Sequence, residues 1–248
     1  MLEVLIGAMI PFAGTILGAL VVFFIKDNIN KKFKQLLLGF AGGVMFAASI
    51  WSLIIPSINY SSFMAQLRFI PALVGVLFGV VLMVLFEIFL NRRHIENNHS
   101  NKKMVFAITL HNIPEGLAVG VALAGMFYGH VSGSVWVAFM LSIGIAIQNI
   151  PEGAIVSMPL KQSGMTKLKA FGCGALSGVV EPIFAGIAIL LVGVMSAVLP
   201  YVLAMAAGCM IFVVVDELIP EMQTGGMCGT FGFFAGFLIM MILDVAFG

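Results

Sequence analysis

Residues 104–127 read MVFAITLHNIPEGLAVGVALAGMF, and residues 133–158 read GSVWVAFMLSIGIAIQNIPEGAIVSM. Each stretch is long enough to cross a bilayer core, which takes about 20 apolar residues as a helix, and each holds one polar patch in its interior. The patches are one pattern, His111-Asn112-Ile113-Pro114-Glu115-Gly116 and Gln148-Asn149-Ile150-Pro151-Glu152-Gly153, set 37 residues apart and differing only in the first residue. An ionisable side chain in hydrocarbon costs roughly 2.5 to 3.5 kcal/mol on the insertion scale. A repeated acid in that setting needs a partner or a function.

Working outward, the whole chain fits a membrane. Of its 248 residues 61% are hydrophobic and 9% charged, whereas a soluble domain carries about 25% charged residues. Eight apolar windows are legible, near 3–25, 36–56, 70–90, 104–127, 133–158, 169–194, 200–220 and 226–247. The expected fold is therefore an all-α integral membrane protein, one transmembrane domain over 1–248 built as an eight-helix bundle. The connections are too short for a soluble domain, so any chemistry belongs to the bundle. The first window carries Glu3, no Lys or Arg ahead of it and no small-residue cleavage site, and reads as a retained helix.

Eleven of the twelve cations follow the first, third and fifth windows: Lys26, Lys31, Lys32 and Lys34; Arg92, Arg93, Lys102 and Lys103; Lys161, Lys167 and Lys169. The positive-inside rule puts those loops in the cytoplasm and both termini outside, in a multi-pass protein of the cytoplasmic membrane. A net charge of +1 gives no electrostatic case for nucleic acid as a partner; the partners expected are the lipid bilayer and a small ion. Cys173, Cys209 and Cys228 lie too far apart for a zinc-ribbon spacing and read as apolar fillers.

Helix geometry gives the paired patches chemical meaning. His111 and Glu115 are four residues apart, as are Gln148 and Glu152, so each pair shares a helix face, with Asn112 and Asn149 beside them. Pro114, Pro151 and Pro182 have no N–H for the carbonyls of Leu110, Ile147 and Gly178, which predicts free oxygens or kinks there. The sixth window adds Glu181. At a rise of about 1.5 Å per residue, Glu115, Glu152 and Glu181 fall roughly 9 to 18 Å into a core about 30 Å thick, so they can meet. Met45 reaches a similar depth on the second window.

One imidazole, three carboxylates, amide oxygens and a thioether suit a first-row divalent cation better than Na⁺ or Mg²⁺. Zn²⁺ leads, with Fe²⁺, Mn²⁺, Co²⁺ and Cd²⁺ as alternatives, each as transported substrate; no catalytic cofactor is expected. A second ion bridged by Glu115 and Glu152 is stereochemically open. The plainer reading is that these polar groups only staple helices together, but three acids and a histidine are an expensive staple. Asp216, Glu217 and Glu221 read either as solvated interfacial acids or as an ion exit. His94 and His99 sit in a polar loop and His130 in an external turn. Glycines four apart at Gly39/Gly43, Gly116/Gly120, Gly125/Gly129 and Gly174/Gly178 predict close helix contact. A proton- or Na⁺-coupled carrier of an organic substrate is the alternative within transport. An intramembrane metalloenzyme is a weaker one, since no His-Glu-x-x-His is present.

The paired hexapeptides, with Ser177-Gly178-Val179-Val180-Glu181-Pro182 and Glu217-Leu218-Ile219-Pro220-Glu221, resemble the ZIP (Zrt-/Irt-like) family of divalent-metal transporters in its GufA-like bacterial branch. The resemblance spans all eight windows. It implies a primary transport site of Met45, His111, Glu115, Gln148 and Glu152. Asn112, Asn149 and Glu181 would join the shared glutamates at a neighbouring second site. Some family members have His at position 148 or Asp at position 149, where this chain has neutral amides. The resemblance also implies homodimers and an elevator-like movement of the site-bearing helices.

Overall fold

The computed structural model describes the backbone of residues 2–24, 30–92, 100–127, 135–194, 198–224 and 226–247. Within these, side chains are described except at 63, 90–108, 110–111, 126–127, 135–137, 192–194 and 247. The described residues are almost wholly helical and contain no strand. The helices are α1 (Leu2–Leu20), α2 (Lys31–Ala48), α3 (Ile55–Tyr60), α4 (Ile70–Arg92), α5 (Ser100–Phe127), α6 (Val135–Gln162), α7 (Lys167–Ser177), α8 (Val180–Val194), α9 (Leu199–Val213), α10 (Ile219–Met222) and α11 (Cys228–Phe247).

Seven stretches among the described residues are long and apolar enough to cross a membrane: Leu2–Phe23, Lys31–Tyr60, Met64–Phe89, Ala138–Gln162, Lys167–Leu191, Leu199–Met222 and Cys228–Ala246. Helix α5, with 28 residues, is about 42 Å long at 1.5 Å per residue. The chain is an all-α membrane protein.

Proline explains where the helices depart from regularity. A wider π-type turn, Ser49–Ile54, joins α2 to α3, and another, Val214–Leu218, joins α9 to α10. Each is followed within two residues by a proline, Pro56 or Pro220, which has no N–H to return to the ladder. The window expected at 169–194 is interrupted: α7 ends at Ser177 and α8 begins at Val180. Gly178 O is not left free beside Pro182, because the backbone N–H of Glu181 donates to it at 3.1 Å.

Four helix pairs pack backbone to backbone through glycine, the tightest approach available where lipid offers no hydrophobic drive between helices. Gly14 and Gly18 of α1 lie against the carbonyls of Ala146 and Ile150 on α6. Gly75 and Gly79 of α4 meet the carbonyls of Tyr201 and Met205 on α9. Gly116 and Gly120 of α5 meet those of Glu181 and Ala185 on α8. Gly39 and Gly43 of α2 meet those of Gly229 and Phe233 on α11. In every pair the numbers rise together in steps of four, so the partners run parallel. Gly174 and Gly178 also make close contacts, with Ala19 and Ser157 and with Thr15; Gly129 lies outside the described residues.

The apolar core runs between these pairs and includes Met45, Leu53, Leu123, Ile145, Met210 and Met240. The outward faces carry Leu73, Leu77, Phe78 and Leu85 of α4 and Phe231, Phe234 and Leu238 of α11, all exposed. That inversion, apolar outside as well as inside, is what a lipid environment requires.

Candidate metal site

Helices α5, α6 and α8 bring the motif residues into one buried region. Asn112, Glu115, Gln148, Asn149 and Glu181 have no solvent exposure, and Glu152 is 8% exposed. The last residue of each hexapeptide makes this approach possible. Gly116, next to Glu115, lies against the backbone of Glu181 on α8, and Gly153, next to Glu152, lies against the carbonyl of Thr15 on α1.

The amides hold the acids in place. Gln148 Nε2 donates to Glu115 Oε1 at 2.5 Å and to Glu152 Oε1 at 3.1 Å, so one side chain ties carboxylates of α5 and α6. Asn112 Nδ2 donates to Ser177 O at 3.1 Å and Asn149 Nδ2 to Pro11 O at 3.3 Å. Thr15 Oγ1 donates to Glu181 Oε1 at 2.9 Å. Glu115, Glu152 and Glu181 are close enough to repel one another electrostatically.

With the amide N–H groups turned to protein acceptors, the oxygens remain. Asn112 Oδ1, Glu115 Oε2, Gln148 Oε1, Asn149 Oδ1 and Glu181 Oε2 are buried and receive no hydrogen bond from the described residues. Buried polar atoms are ordinarily paired, and a buried acceptor left without a donor costs about 1 to 3 kcal/mol. A cation is a partner that such oxygens can take.

His111 lies one turn before Glu115 on α5; its side chain is outside the described residues, as are His94, His99 and His130. Among the described residues, no three acids, thiols or imidazoles already form a closed ligand cluster. Met45 is buried on α2 in the central apolar cluster. Asp216, Glu217 and Glu221 are exposed, and Glu221 pairs with Lys34 at 2.5 Å.

Two polar groups escaped the sequence reading. Thr15 belongs to no motif, and only the fold brings it to Glu181. Asp244, whose Oδ1 accepts from Ser52 Oγ at 2.5 Å, was visible by the rule that exposed the glutamates, as an acid inside an apolar window.

The chain is similar to known proteins over most of its length. A sequence profile described as ZIP Zinc transporter matches residues 103–244, more than half of the chain. The chain belongs to the ZIP family. Similar ZIP-family proteins include "Zinc transporter ZIPB" of Bordetella bronchiseptica, 34% identical with 98% of this chain and 81% of that protein covered. "Zinc transporter GufA" of Myxococcus xanthus is 31% identical over 98% of both chains. "Zinc transporter ZIP11" of Xenopus tropicalis is 31% identical over all of this chain and 98% of that one.

Proposed function

We propose that this ZIP-family protein carries divalent transition-metal ions, Zn²⁺ foremost, inward across the cytoplasmic membrane by alternating access. Fe²⁺, Mn²⁺, Co²⁺ and Cd²⁺ are the alternatives that a mixed set of nitrogen, oxygen and sulfur ligands leaves open. The observation that carries the reading is the set of buried oxygens on Asn112, Glu115, Gln148, Asn149 and Glu181, contributed by three packed helices and given no donor among the described residues.

The ion would sit between α5, α6 and α8, near the middle of the membrane, on Glu115, Gln148 and Glu152, with His111 and Met45 completing the primary set. Asn112, Asn149 and Glu181 would serve a second, adjacent ion that shares the glutamates. Positive charge is what makes three neighbouring carboxylates tolerable in that location. Because Gln148 bridges Glu115 and Glu152 through its N–H groups, loading the primary set requires the amide to turn its oxygen inward.

The parallel packing of α1 with α6 supports eight crossings with both termini on one side, which the cation-bearing loops would make the outside. Two parallel spans need an odd number of spans between them, which α2–α3, α4 and α5 provide. The names of the relatives are those of transporters, which supports carriage over catalysis. Pairing of two copies and an elevator-like movement of α1, α5, α6 and α8 against the other helices complete the proposal.

The test is uptake of ⁶⁵Zn²⁺ into liposomes holding purified protein, with elemental analysis of the bound metal. Glu115→Ala and Glu152→Ala are expected to abolish both uptake and bound metal. Uptake unchanged in both variants refutes the site, and uptake independent of any divalent metal refutes the function.

A further inference from the structure

Thr15 stands outside every motif, on a helix that contributes no charged group to the site, yet it is 1% exposed and bonded to Glu181. A threonine inside a helix ordinarily turns its hydroxyl back to the carbonyl four residues earlier, here Pro11. That carbonyl instead receives the Asn149 amide at 3.3 Å, and the Thr15 hydroxyl donates across to Glu181 Oε1 at 2.9 Å. One turn of α1 thus holds Asn149 of α6 and Glu181 of α8 together.

The surrounding glycines are arranged for this contact. A Cβ at Gly178 would lie 2.7 Å from Thr15 Cβ and Oγ1 and 2.9 Å from Glu181 Oε1, so only glycine lets the hydroxyl close on the acid. Gly153, beside Glu152, packs on the Thr15 carbonyl. With Oε1 held by Thr15, Glu181 keeps Oε2 without a donor among the described residues.

We infer that Thr15 is a positioning residue for Glu181, fixing one carboxylate oxygen so that the other faces the transported ion; this rests on the metal-site reading above. Hydrogen bonds to a ligating carboxylate orient it, and their loss typically costs about 10- to 100-fold in metal affinity.

The experiment titrates purified full-length protein with Zn²⁺ and with Cd²⁺ against a competing chelator. Thr15→Val keeps the side-chain shape and removes the donor, and is expected to weaken apparent affinity about 10-fold or more. Thr15→Ser keeps the donor and is expected to bind nearly as the parent does. In a Glu181→Gln background Thr15→Val should add little, because the group it orients is already altered. Should the valine variant not be recovered folded, Thr15→Ala carries the same expectations.

Parent-like affinity in Thr15→Val overturns the inference. So does a serine variant as weak as the valine one, which would mark a packing role, or an equal loss in both backgrounds. A parent protein that binds neither ion, or a Glu181→Gln variant that binds like the parent, overturns the metal-site reading and this inference with it.

Discussion

Replacing Gln148 by leucine separates the metal-free site from the loaded one. The side chain spends both amide hydrogens on carboxylates, at 2.5 Å to Glu115 and 3.1 Å to Glu152. Each acceptor left buried without its donor costs about 1 to 3 kcal/mol, so two cost roughly 2 to 6 kcal/mol. Leucine fills a similar volume, and burying it fully returns about 1.5 to 3 kcal/mol. At the middle of the two ranges, about 4 kcal/mol lost against about 2 returned, the metal-free protein is destabilised by about 2 kcal/mol. At about 2 to 4 °C per kcal/mol for a chain of this size, that is a melting temperature lower by several degrees. Zn²⁺ changes the balance, because an ion held by Glu115 and Glu152 satisfies the oxygens the amide has abandoned. Thermal unfolding of parent and Gln148→Leu in detergent, with chelator and then with saturating Zn²⁺, reads both states. The gap between the two proteins should be wide with chelator and narrower with Zn²⁺. An equal gap in both conditions, or a metal-free variant more stable than the parent, would refute the reasoning, since neither follows if the amide and the ion serve the same oxygens.

Other expectations follow from the packing and the charges. Glu115→Gln and Glu152→Gln should each lower Zn²⁺ uptake into liposomes by at least about 10-fold, because the neutral amide keeps the shape and loses the charge opposite the cation. Gly116→Ala should cost about 1 to 3 kcal/mol by overpacking, since a Cβ there falls 2.8 Å from Glu181 Cα; Gly186→Ala, inside α8 with nothing within 4 Å, should cost nothing in thermal unfolding and stabilise by up to about 1 kcal/mol. Lys34→Ala should shift stability by no more than about 1 kcal/mol, as both partners of the Lys34–Glu221 pair are well exposed.

The all-helical, membrane-spanning character was legible because hydrophobicity over a 20-residue window is a property of sequence alone, and seven such stretches stand among the described residues. The repeated hexapeptide was legible because acids in such windows stand out against a chain that is 9% charged. The break at Gly178 was half legible. Pro182 announced a disturbed helix, but the N–H of Glu181 takes up the Gly178 carbonyl, a local exchange no spacing rule specifies. The π-type turns at Ser49–Ile54 and Val214–Leu218 were not anticipated, because a proline fixes which bond is lost and leaves open how the chain re-registers. Thr15 was illegible for a different reason. It lies 166 residues from Glu181, and a hydroxyl in a helix has a default partner of its own.

The hexapeptide also reads as a docking device once its glycine is considered with the rest. Gly116 places α5 against the backbone of Glu181, and Gly153 places α6 against the carbonyl of Thr15, while Thr15 and Glu181 are hydrogen-bonded to each other. Gln148 closes the remaining side by joining Glu115 to Glu152. Four helices thus form a ring in which each copy of the motif contributes an acid and, in the next residue, the contact that fixes the acid's neighbour. A larger residue at Gly116 or Gly153 cannot be absorbed locally, because the opposing atoms are backbone and move only with their helices. The spacing of the carboxylates is therefore set by glycine contacts rather than by the carboxylates' own mutual repulsion. For a carrier this separates two requirements. On the carriage proposed above, the ring would stay rigid while the ion is loaded and released, and the change of access would fall to the boundary between α1, α5, α6 and α8 and the helices that pack around them.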